Sequence, residues 1–254
     1  MSDINIAFTS TAYGPLWAPA VESWLQVVGY TAREYAIQHV GKLGGVGITD
    51  RMYTHAAENA LIGDLLKNES FTHIFLTEMD MILPHDAITK LVKLDKDLAT
   101  GVYFLRASRP ETRGQPCLYK KSAAIAPKDV DKAVAKYYHT PVSLFPQSTP
   151  FRVDCAGLGC LLVKRKVFET IPYPWFDLKA GDDKQNIVGY GSDIFFATHA
   201  KNYGFELWCD PTVQCGQIDY YVTGISDYQW QLDNNPKFAG SGYVIGIEPK
   251  TQAA

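Results

Sequence analysis

The first 105 residues alternate short apolar runs with stretches of helical period, and this alternation limits the fold more than any other feature of the chain. Residues 4–9, 34–38, 72–77 and 98–104 read as strands. Between them, residues 21–28 set Trp24, Leu25 and Val28 on one helical face. Residues 52–66 repeat Ala57, Leu61 and Leu65 at helical spacing, with Ala60 beside them and Asp50 placed to cap. A third helix follows Pro84, whose missing N–H a first turn tolerates, and carries Ile88, Leu91 and Val92 to about Leu94. Strand and helix in this order predict parallel pairing with right-handed crossovers: a single Rossmann-like α/β domain with a mainly parallel central sheet flanked by helices.

The second half is less regular. Residues 108–121, rich in Arg, Pro and Gly, read as a surface loop, and residues 129–138 as a helix. Strands are expected at 151–155 and 158–163, on either side of Gly157, and a helix that Ser192 can cap at 192–202. A strand at 205–209 precedes a C-terminal stretch of aromatic and Gly residues with weak periodicity.

Composition removes several classes of function. Of 254 residues, 46% are apolar and 20% charged, which excludes a disordered chain. The net charge of −3 comes from well-mixed acids and bases, with no basic run to track a phosphate backbone, so nucleic acid is not an expected partner. No apolar stretch approaches the roughly 20 residues of a membrane helix. Residues 1–20 carry Asp3 and no Lys or Arg, so a cytoplasmic setting is expected. The five cysteines lack a CxxC pair and read as small buried apolar residues.

Chemistry concentrates where the strand at 72–77 stops at Glu78, Met79 and Asp80. If the chain stays extended there, side chains two apart share a face, and both carboxylates project from the carboxyl edge of the sheet, where open α/β folds bind ligands. Such a pair suits Mg2+ or Mn2+, whose shell ligand phosphates complete; the plain alternative is a polar strand end with Asp80 capping a turn. Gly157 and Gly159 allow close backbone approach or positive φ, or else mark a bulge or turn. Asp193 begins the helix at 192–202, where oriented amides favour the ionised form and let it accept a proton; alternatively Ser192 and Asp193 only cap. The six histidines do not cluster, and no GxSxG elbow or full dinucleotide fingerprint occurs.

Several segments taken together carry a resemblance. They are the polar loop Thr9, Ser10 and Thr11 after an early strand; Arg51 leading to Glu58 and Asn59; FTHIFLTEMDMILPHDAITKLV at 71–92; TGVYF at 100–104; VDCAGLGCLLVKRKVFE at 153–169; PWFD at 174–177; and GYGSDIFFATHAKNYGFELWCDP at 189–211. In order and spacing they resemble nucleotide-sugar-dependent glycosyltransferases of the A-type fold, family-2-like enzymes of bacteria and their viruses, from Ile4 to about Tyr221.

The resemblance implies transfer of a sugar from a UDP- or GDP-sugar to a carbohydrate or other hydroxyl acceptor, by direct displacement with inversion. It implies Thr9 and Thr11 beside the base or ribose, Arg51 near the nucleotide, and a segment at Gly157 flooring the donor-sugar pocket. Asp80 would be the main ligand of Mn2+ or Mg2+, Glu78 would reach the cation or ribose, and Asp193 would deprotonate the acceptor. Three positions depart from the family's pattern: Glu78 replaces Asp, Ser192 replaces the first acid of a pair, and Gln217 replaces a His that completes the metal shell, with Asp210, Asp219 and water as the other candidates for that ligand. On this reading residues 1–254 form one domain, with a nucleotide-binding half over about 1–105, an acceptor half over about 150–225 and a C-terminal extension over 226–254. Trp175, Phe176, Tyr190, Trp208, Tyr220 and Tyr221 are either core or platforms for sugar rings. The departures keep two further readings open, a binding module of the same fold without catalysis and a nucleotidyltransferase.

Overall fold

The computed structural model describes residues 4–11, 16–39, 53–105, 114–121, 139–179, 190–219, 222–236, 238 and 243–246. Asp50, Arg51, Tyr220, Tyr221 and the helix expected at 129–138 lie outside the described residues. In chain order the elements are β1 (Asn5–Thr11), α1 (Ala18–Thr31), β2 (Ala36–His39), α2 (Thr54–Leu65), β3 (His73–Glu78), β4 (Met81–Ile82), α3 (Ala87–Lys93) and β5 (Leu98–Val102). There follow β6 (Leu118–Lys121), β7 (His139–Leu144), β8 (Phe151–Val153), β9 (Cys155–Ala156), β10 (Cys160–Lys164), α4 (Arg165–Thr170), α5 (Ser192–Asn202), β11 (Leu207–Gln214), β12 (Gly216–Ile218), β13 (Val222–Thr223), α6 (Ile225–Asn234) and β14 (Tyr243–Val244).

The central sheet has seven strands in the order β2-β1-β3-β10-β5-β11-β8. β2, β1, β3, β5 and β11 run one way; β10 and β8 run against them. The sheet is mainly parallel, as the alternation of elements requires.

Strands covered on both faces read as continuous apolar runs, and side chains of alternate parity feed two cores. Ala7, Ile74, Leu76, Leu98, Leu161 and Val163 pack on the side of α2, α4 and α5. Ile6, Phe8, Phe75, Ala99 and Leu162 pack on the side of α1 and α3. Two small sheets, β13-β12-β4 and β14-β7-β6-β9, flank the large one. No helix among the described residues is long and apolar enough to cross a membrane.

Several expectations need correction. Leu25 is 68% exposed, and the inward stripe of α1 is Ala20, Ser23, Trp24, Val27 and Thr31. On α2 Ala57 and Leu65 face inward as expected, together with Glu58, Asn59 and Ile62, while Leu61 stands at the margin and Ala60 is exposed. Pro84 precedes α3 in a turn, its carbonyl accepting the Ala87 N–H at 2.9 Å. Residues 118–121 are a strand rather than loop, because Tyr119 pairs with both Pro141 and Cys155. Gly191, not Ser192, is the N-cap of α5. The five cysteines are free and buried, as expected.

Candidate functional site

Strand order reverses between β1 and β3, because β2 lies outside β1 while the rest of the sheet lies beyond β3. In open α/β sheets the crevice at such a switch point is where ligands bind. Thr11 and Glu78 are register partners at the carboxyl ends of these two strands, and the Met79 N–H donates to the Thr11 carbonyl at 3.1 Å. Thr9 lies one pleat deeper, fully buried, its hydroxyl donating to the Phe75 carbonyl at 2.9 Å. It is a residue of the sheet interior and not of the crevice wall.

After Glu78 the chain turns through Met79 and Asp80 into β4, so Glu78 and Asp80 are not successive same-face positions of one extended strand. The turn is anchored from α1, where Trp24 Nε1 donates to the Met81 carbonyl at 3.0 Å and the Ser23 hydroxyl accepts the Leu83 N–H at 3.1 Å. β4 then pairs with β12, setting Gln217 opposite Met81. This brings Gln217 to Asp80: Gln217 Nε2 donates to Asp80 Oδ2 at 3.2 Å, and the Ile218 N–H donates to the Asp80 carbonyl at 2.8 Å. Asp80 is 5% exposed and Gln217 equally buried, with Gln217 Oε1 lacking a hydrogen-bond partner.

Among the described residues no three His, Cys, Asp or Glu side chains gather to hold a metal ion. The oxygen donors of Asp80 and Gln217 nevertheless fit a hard cation that takes one or two protein ligands and completes its shell with phosphate. The orphaned Gln217 oxygen is the atom such an ion would satisfy, since the amide can present either end.

Glu78 and Asp193 both act on a third acid, Glu58. Asp193 lies in the first turn of α5, half-buried, with Oδ1 accepting the Ile194 N–H at 2.8 Å. Burial raises its pKa against the lowering effect of these amides, so desolvation outweighs the pull of the helix terminus toward the anion. Gly191 makes room for the carboxylate, since a Cβ there would come within 2.8 Å of Asp193 Oδ1. Glu58, on the inward face of α2, is only 2% exposed. Burial lifts its pKa to about 8, a hydrogen bond from the Ser192 side chain acts the other way, and the charges of Glu78 and Asp193 raise it further.

Tyr103 and Cys117 form a fully buried pair joined by a hydrogen bond, within the fields of Glu78 and Asp193. Burial raises both pKa values, the thiol's to about 12, and the fields of Glu78 and Asp193 add to this. A Cβ at Gly157 would lie 1.7 Å from Tyr103 Oη and 2.7 Å from Cys117 Sγ, so only Gly fits over this ring. Positive φ is not the reason, for the described glycines with positive φ are Gly114, Gly204 and Gly246. The close approach at Gly157 is made by Tyr103 from within the fold. Gly159 donates its N–H to the same phenol at 3.4 Å.

Of the aromatic residues, Phe176 is core, stacked on Phe196 at 4.9 Å, while Trp208 lies under the Lys96 ammonium at 4.5 Å. Sequence reasoning missed Glu58 as a site residue, and Tyr103 with it. The available signal was a charged side chain on a helical face of otherwise core residues.

Neither a protein-family model nor a curated protein sequence matches the chain. Solved structures do. A197 from STIV superposes with a TM-score of 0.52 at 14% identity, over 85% of this chain and 86% of that one. GalNAc-T7, crystallised with UDP, GalNAc and Mn2+, superposes with a TM-score of 0.51 at 11% identity, over 85% of this chain. This chain spans 44% of the GalNAc-T7 chain. At these identities the likeness is one of fold, and the fold is the glycosyltransferase A-type.

Proposed function

We propose that the crevice at the carboxyl ends of β1 and β3 binds a nucleoside-diphosphate sugar and passes the sugar to a hydroxyl acceptor. The reading is carried by one juxtaposition: Gln217 meets Asp80 two residues beyond Glu78, and the buried Glu58 lies within the fields of Glu78 and Asp193. Asp80 and Gln217 would hold Mn2+ or Mg2+, which when bound neutralises the charge of a departing diphosphate. Glu78 and its strand neighbour Thr11 would meet the ribose of a UDP- or GDP-sugar, a role supported by their pairing at the carboxyl ends of β1 and β3.

Asp193 takes the proton of the attacking hydroxyl. Desolvation raises its pKa, which makes it a stronger base than an exposed carboxylate. A single displacement by that hydroxyl inverts the anomeric centre. Tyr103 and Cys117, raised by burial, stay protonated at neutral pH and add no charge to the field of Glu78 and Asp193.

Two variants test this with calorimetry of UDP and GDP in Mn2+ and with release of nucleoside diphosphate from their sugar conjugates. Asp80→Ala is expected to abolish Mn2+-dependent nucleotide binding. Asp193→Asn is expected to bind as the wild type does and to lose turnover by about 10²–10⁴-fold. Full Mn2+-dependent binding by Asp80→Ala refutes the metal role. Tight nucleotide binding by a wild type that turns over no donor favours the binding module.

A further inference from the structure

Along the chain Asp193 has no acidic neighbour, since Ser192 precedes it and Ile194 follows. In space it has one. The Glu58 carboxyl is hydrogen-bonded to the Ser192 side chain and lies within the field of Asp193. Glu58 Oε2 has no hydrogen-bond partner, although the residue is almost wholly buried. A buried, half-satisfied carboxyl weakens a fold, so stability does not account for its presence among Ala57, Ile62 and Leu65. The end of α5 that it touches needs a tie, because its N-cap is Gly191 and makes no side-chain capping bond.

We propose that Glu58 is the positioning residue for Asp193: from α2 it supplies through space the second carboxyl absent from the chain at position 192, and through the Ser192 hydroxyl it holds the turn that carries the proton acceptor. This rests on Asp193 being the base. Glu58 acts through Ser192 and does not itself take the acceptor's proton.

The test uses the full chain with Mn2+ and a panel of UDP-glucose, UDP-galactose, UDP-N-acetylglucosamine, UDP-N-acetylgalactosamine and GDP-mannose, with water as acceptor and nucleoside diphosphate release as readout. Glu58→Ala and Ser192→Ala are expected to lower kcat at least about tenfold, since small misplacements of a catalytic group are costly, while KM for the donor stays within about twofold. Glu58→Ala combined with Ser192→Asp moves the carboxyl into the chain and is expected to recover about tenfold or more of the lost kcat. A Glu58→Ala enzyme at wild-type kcat overturns the proposal, as does a double variant that folds, by its melting temperature, and recovers nothing.

Asp193→Asn separates this from the reading beneath it. If that variant keeps wild-type kcat, Asp193 is not the base and the larger proposal fails first. A crystal structure of Glu58→Ala decides the matter without turnover: displacement of the Asp193 carboxylate by more than about 0.5 Å, the tolerance of a catalytic group, supports the proposal, and an unmoved carboxylate overturns it.

Discussion

A single carboxyl shows most directly how this molecule trades stability for chemistry. In the unfolded chain Glu58 ionises near 4.5, and in the fold near 8, chiefly because burial penalises the anion. Between those values the folded protein keeps a proton that the unfolded chain has released. Stability therefore falls as pH rises from about 4.5 to about 8 and levels off above. Glu58→Gln keeps the shape and removes the titration. It is expected to match the wild type near the acid end of this window and to exceed it by about 2–4 kcal/mol at the alkaline end. Urea unfolding of both proteins across the window checks this, and parallel stability curves would sink it. The sequence offers little warning of such a group. The spacing of Ala57, Leu61 and Leu65 finds two residues of the inward face but not its extent over Glu58, Asn59 and Ile62, which leaves position 58 looking like a solvated acid. Asp80 and Gln217 lie 137 residues apart, and no local pattern joins them.

At the scale of elements, α2 owes its place to Asn59. Its Nδ2 donates to the carbonyls of His55 and Phe176 at 2.8 and 2.6 Å, and its Oδ1 accepts the N–H groups of Trp175 and Phe176 at 3.0 and 3.1 Å. One amide thus clamps the segment 174–177 to the helix that presents Glu58. Asn59→Ala leaves those backbone groups unpaired in a buried place and is expected to cost about 2–4 kcal/mol. Thermal unfolding measures the loss; a melting temperature within about a degree of the wild type would contradict the clamp. Elements of this kind are unevenly legible. β1, β2, β3 and β5 fall within two residues of their expected bounds; β1, β3 and β5 are buried and written as apolar runs, whereas β2 is a partly exposed edge strand. β6 and β7 escape such a reading, for Lys120 and Lys121 on one and Pro141 on the other mask a pairing that only a partner strand reveals.

For the whole molecule, the order of strands in space departs from their order along the chain, and an apolar run carries no arrow. The sequence therefore predicts a mainly parallel sheet and does not disclose that β10 runs backwards between β3 and β5. That reversal governs when the molecule can close. β3 and β5 lie two strand spacings apart, about 10 Å, and neither can pair with the other. A chain cut after residue 150 is therefore expected to be degraded by protease at a concentration that leaves the full chain intact; equal resistance would show that the N-terminal half closes by some other route. During synthesis the ribosome must release both banks of the sheet before the strand that bridges them, and Gln217 emerges later still. Until the bridging strand arrives, both banks present inner edges that the finished sheet covers, and vulnerability to edge-to-edge aggregation is greatest in that interval.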